Sequence, residues 1–64
     1  MKFAVVIPVL NQLRYTQQCV ESLLESGVAA ESVLVIDNAS TDDTPQWLAA
    51  TPAIRSMRNP VNLG

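Results

Sequence analysis

Asp37, Asn38, Ser40, Thr41, Asp42, Asp43 and Thr44 follow directly on the apolar run Val33-Leu34-Val35-Ile36. A carboxylate set at the end of such a run can accept hydrogen bonds from a ribose hydroxyl or a base N–H. In open parallel α/β sheets, ligands lie in the crevice outside the carboxyl ends of the strands. Asp37 is therefore the leading candidate for a ligand contact. Asn38 offers a second polar group, although an Asx turn would use the same atoms. Ser40, Asp42 and Asp43 invite comparison with an acidic metal pair, but turn and helix-start chemistry accounts for them better. Pro8, Val9, Leu10 and Asn11 form a second group at the end of another apolar run. Asn11 reads either as a helix cap or as a neighbour of the ligand. Arg14 and Arg58 are the basic side chains near this edge, each read as a solvated group, with phosphate contact as the alternative.

The elements that must position these residues are short. Lys2–Ile7 is a first strand, apolar through its middle, with Pro8 ending it because proline cannot donate to a ladder. Leu13–Ser26 reads as a helix with Cys19, Val20, Leu23 and Leu24 as its apolar stripe. On that stripe Cys19 is a packed thiol. Gly27 closes the helix in the left-handed region, with Val28 packing back on Leu23. Val33–Asp37 is the second strand. Both apolar strands suit burial on two faces. Thr44 is a good N-cap and Pro45 a good first helical residue for a short second helix carrying Trp47, which fades near Thr51-Pro52. Trp47 reads as core or half-buried cover. Ala53–Arg58 is a weaker third strand, suited to an edge, and Asn59–Gly64 is a turn. The predicted fold is α/β: a βαβαβ three-stranded parallel sheet, with right-handed crossovers.

The chain has 64 residues and a formal net charge of −2. That length allows one domain, burying only about 60% of the surface its unfolded form exposes. With 48% apolar residues, the chain is not expected to be disordered. Its four basic residues form no patch, so recognition of nucleic acid through phosphate neutralisation is not expected. One cysteine excludes an intrachain disulfide and suits a reducing, cytoplasmic location. No apolar run approaches the length of about 18 residues that a membrane span requires. The start of the chain lacks the pattern of a signal peptide, and its end has the look of a truncation.

Four blocks taken in order carry a resemblance: Val6-Ile7-Pro8-Val9-Leu10-Asn11, Cys19-Val20-Glu21-Ser22-Leu23-Leu24, Val35 to Thr44, and Asn59-Pro60-Val61-Asn62-Leu63-Gly64. Together they resemble the N-terminus of family-2 glycosyltransferases, GT-A-fold enzymes that transfer a sugar from a nucleotide diphosphate donor. Leu10 stands where the family often has an aromatic residue, and Asp43 where glycine is usual. The resemblance implies that residues 1–64 are a single partial domain, the Rossmann-like N-terminal part of a GT-A fold with strand order 3-2-1. It implies a nucleotide-sugar partner. Pro8, Val9 and Asn11 would form a wall for the base and ribose. Asp37, beside Asn38, would accept a hydrogen bond from uracil or another base. The Asn-Leu-Gly end would lead into a helix closing the pocket. The family's Asp-x-Asp motif, which holds Mg or Mn, and its catalytic base would lie beyond residue 64. This chain would then hold no metal and no catalytic residue, and alone it would be inactive.

Two other readings compete. A dinucleotide-binding Rossmann half would place Asp37 on a ribose, but it needs Gly-x-Gly-x-x-Gly where this chain has Pro8-Val9-Leu10-Asn11-Gln12-Leu13. A non-catalytic fragment would self-associate through the unpaired edge of the first strand.

Overall fold

A computed structural model describes residues 3–60. In order, the chain forms β1 (Val5–Val9), α1 (Leu13–Glu25), a 3-10 turn (Ala30–Ser32), β2 (Val33–Asn38), α2 (Thr44–Ala49) and β3 (Arg55–Asn59). The three strands make one parallel sheet in the order β1-β2-β3, which is the expected 3-2-1 read from the opposite edge. The expected α/β fold class is therefore the observed one. Lys2 and Val61–Gly64, with the expected Asn-Leu-Gly lead-in, lie outside the described residues.

The core explains how a chain this short holds together. Val9, Val20, Val33, Val35, Leu48 and Ile54 are buried, with Ile7, Leu23, Val28, Ala30 and Trp47 packed against them. Val20 belongs to α1 and Leu48 to α2, yet both belong to the same buried cluster as Val33 and Val35. Two crossovers of one hand between strands laid down in one direction put both helices on one face of the sheet. Along β2, Val33, Val35 and Asp37 are buried while Leu34, Ile36 and Asn38 are only partly so. This corrects the expectation that both strands are covered on two faces. Val6 is 51% and Met57 56% exposed, because the described residues supply no layer over that side.

Other local expectations change in instructive ways. Pro8 does not end β1 but sits inside it, opposite Ile36, and the ladder continues to Val9 opposite Asp37. Proline suits an extended backbone, and β1 is an edge strand of the described sheet, where a missing donor is tolerated. The stripe on α1 is Thr16, Val20 and Leu23, whereas Leu24 is exposed and Cys19 only half-buried. The end of α1 follows the expected pattern. Gly27 has φ +99°, its N–H donates to the Leu24 carbonyl, and Val28 N–H donates to the Leu23 carbonyl. That pair of bonds is the Schellman closure.

Candidate functional site at the carboxyl edge of the sheet

The parallel register sets Val9 beside Asp37 and Asp37 beside Arg58, so the loops after β1 and β2 leave the same edge. Asp37 shares its parity with Val33 and Val35, and its side chain therefore turns to the covered face, where it is 1% exposed. A charge buried that deeply needs partners. Oδ1 accepts the Ser40 N–H at 3.0 Å, and Oδ2 accepts Nη1 of Arg58 at 2.7 Å. Arg58 also donates from Nη2 to the Ser40 carbonyl at 3.2 Å, so one guanidinium spans the carboxylate and the turn that follows it. Asn38 accepts a hydrogen bond from the Asn59 amide at 2.7 Å.

The two loops are tied together by side chains. Asn11 Oδ1 accepts the Thr41 N–H at 2.7 Å and the Asp42 N–H at 3.2 Å, while the Asn11 N–H donates to Ser40 Oγ at 2.7 Å. Asn11 is thus a bridge between loops, and of its two sequence readings the helix cap is not observed. Gln12 occupies the cap position of α1 without a side-chain bond, and the Leu13 N–H donates instead to Asp42 Oδ2 at 3.2 Å. Asp42 Oδ1 accepts the Thr44 N–H at 2.9 Å, at the start of α2. Thr44 was expected at the N-cap, but it lies inside the first turn and Asp43 holds the cap position without a side-chain bond. A single carboxylate therefore serves the first turn of two helices, whose unpaired N–H groups favour negative charge. The Asp42 carboxyl is held below its usual range by the adjacent Thr44 hydroxyl, the Thr44 N–H and the Leu13 N–H. Thr44 Oγ1 itself is buried and has no partner at hydrogen-bonding geometry.

Strain gathers at this edge. Asn11, Gln12 and Ala39 have φ of 56°, 57° and 61°. A left-handed conformation costs a non-glycine residue roughly 1–2 kcal/mol, with asparagine the most tolerant. The inter-loop bonds hold Asn11 there.

Of the expected site residues, Pro8, Val9 and Asn11 line a pocket of about 190 Å³ that also involves Gln12, Tyr15 and Thr16. Asp37 lines a different pocket of about 240 Å³, between α2 and β3, with Pro45, Leu48, Ser56, Met57 and Arg58. The two groups share an edge and are joined through Ser40, but they do not wall a common cavity. Ser40 and Asp42 fall where the sequence reads turn and helix-start chemistry, and Arg58 where it reads a solvated or phosphate-contacting cation; their links to Asn11, Leu13 and Asp37 are what residue types alone do not show. The available signal was parity: an acid on the covered face of β2 demands a cation, and Arg58 ends the neighbouring strand. Among the described residues no group of three acidic, cysteine or histidine side chains is placed to hold a metal ion. Both Asp42 oxygens are already committed to backbone N–H groups. The described residues do not fit a divalent cation.

Parallel strands joined by helices, with interlocked polar loops at their carboxyl ends, define a Rossmann-like unit consistent with the N-terminal part of a GT-A fold. Residues 4–64 match the model of glycosyl transferase family 2, and the chain belongs to that family. No curated protein and no solved structure matches it.

Proposed function

We propose that this chain is the nucleoside-binding front of a glycosyltransferase whose parent enzyme moves a sugar from a nucleotide diphosphate donor to an acceptor. The proposed contacts are Pro8, Val9 and Asn11 on the loop after β1, and Asp37 with Asn38 at the end of β2, two groups in neighbouring pockets joined through Ser40. The observation that carries this reading is the interlocked edge. Val9 and Asp37 are register partners, and Asn11 fixes the loop after β2 through two backbone N–H groups. Such an edge is preorganised, so little ordering entropy remains to be lost on binding. The parent's Mg or Mn, and its catalytic base, are proposed to come from residues other than these, and the chain alone is inactive. No helix among the described residues is long and apolar enough to cross a membrane. The single cysteine supports a reducing, cytoplasmic setting.

Thermal unfolding of the chain with and without UDP tests the proposal. Ligand at a hundredfold excess over Kd adds about 2.7 kcal/mol to stability, so the midpoint should rise with UDP and stay fixed with NAD. A response to NAD alone would favour the dinucleotide reading, and no response to either would remove the nucleotide role. A second reading rests on the open side of β1, which pairs only with β2 among the described residues. There, two chains could associate edge to edge.

A further inference from the structure

Burial and hydrogen bonding at the end of β2 point to a division of labour that residue types did not suggest. We infer that Arg58 is the side chain that touches the nucleobase, donating to a ring carbonyl oxygen, and that Asp37 acts through it as a positioning residue. This inference rests on the nucleoside reading of the same edge. Asp37 is 1% exposed, and each of its oxygens already accepts a hydrogen bond. A base N–H cannot approach that carboxylate unless Arg58 first leaves it. The Arg58 side chain, by contrast, is 48% exposed. A guanidinium has five N–H donors in a fixed fork. One is taken by Asp37 and one by the Ser40 carbonyl, so the fork is held at two points and its other donors have no partner among the described residues.

Charge decides what those donors prefer. The carboxylate 2.7 Å away offsets the guanidinium charge, so the pair is close to neutral as a unit. A neutral acceptor such as a carbonyl oxygen fits that unit better than a diphosphate, which would also meet Asp37. The adjoining pocket of about 240 Å³ has apolar Pro45, Leu48 and Met57 beside polar Ser56 and Arg58, a lining suited to a flat ring with polar edges. The predicted ligand feature is a base that presents a carbonyl to Arg58, as uracil does, in place of an amino group.

The sign of one change separates this from the direct-acceptor alternative. If Asp37 accepts from the base itself, Arg58 competes with the ligand and its removal should tighten binding. If Arg58 donates to the base, its removal should weaken binding. The experiment is calorimetric titration of UDP into the wild-type chain, Arg58→Lys, Arg58→Gln and the double variant Asp37→Asn with Arg58→Gln. Folding of each is checked by circular dichroism. Arg58→Lys keeps a cation beside Asp37 but loses the planar fork. The double variant removes both charges, so an unpaired buried carboxylate cannot unfold it. The expected result is UDP affinity about tenfold weaker in Arg58→Lys and in Arg58→Gln, with fold retained; the double variant serves to show that the loss in Arg58→Gln is not the unfolding effect of an unpaired Asp37. In the wild-type chain, the Arg58 Nε–H resonance should move on adding UDP. In Asp37→Asn that resonance should lie near the value for free arginine before any ligand is added. Affinity unchanged or tighter in the Arg58 variants, with wild type binding UDP, overturns this inference and leaves the nucleoside reading standing. Failure of the wild-type chain to bind UDP overturns both.

Discussion

At the scale of single residues, Asn11 and Asp42 do the joining. Asn11 supplies one oxygen to two backbone N–H groups of the neighbouring loop. Asn11→Ala should cost about 0.5–1.5 kcal/mol, since it removes the acceptor of two N–H groups that water can partly reach, while Asn11→Asp, which keeps an acceptor oxygen, should cost less. Urea unfolding of the two variants checks the order. Asp42 predicts a pH dependence. Its carboxyl is held below the ordinary value in the folded state, so its contribution is present above the unfolded pKa and is lost as pH falls through the folded one. Part of the acid loss of stability below about pH 4 should therefore belong to Asp42. Asp42→Asn should flatten that limb in acid titrations of stability; an unchanged slope would deny it the capping role. The bond from Asp42 to the start of α2 is local and was readable as helix-start chemistry, but its bond to Leu13 and the bridge made by Asn11 could not be seen, because those partners lie about thirty residues apart and meet only once the loops share an edge. Asp37 was legible as a strand-end acid, whereas its pairing with Arg58 depends on register across β2 and β3.

Among the elements, what was written locally was also readable locally. The closure of α1 needs only a glycine at one position, and Gly27 has φ +99° with open space where a Cβ would sit. Gly27→Ala should therefore cost about 1–2 kcal/mol through backbone strain alone, measurable as a lower midpoint in thermal melts. Gly27→Asn should cost less, because asparagine tolerates that region. β1 and β2 were legible as apolar runs, and β3, the weaker signal, stands at the expected edge among the described residues. The number of covered faces was not legible, because composition does not distinguish a strand buried on two sides from one whose second side stays open. The stripe on α1 was misjudged for a related reason. Thr16 is buried although polar, while Leu24 is exposed although apolar. Helix orientation on the sheet decides that choice, and it is a tertiary property.

For the molecule as a whole, the sheet has β1 at one side, next to an open groove of about 530 Å³ lined by Val5, Ile7, Tyr15, Cys19 and Leu23. A strand edge that is unpaired among the described residues and has apolar neighbours favours edge-to-edge pairing. Sedimentation should show apparent mass rising with concentration, and a lysine at Val5 should suppress the rise. A constant monomer mass would exclude this association. The account as a whole depends on the carboxyl edge of β1 and β2 being where a nucleoside docks. The most direct test is the map of amide chemical shifts during a UDP titration. The account predicts saturable shifts concentrated at Val9, Leu10, Asn11, Asp37 and Asn38, with the far ends of the strands unmoved. Shifts absent from that edge, or clustered along the β1 groove instead, would contradict it.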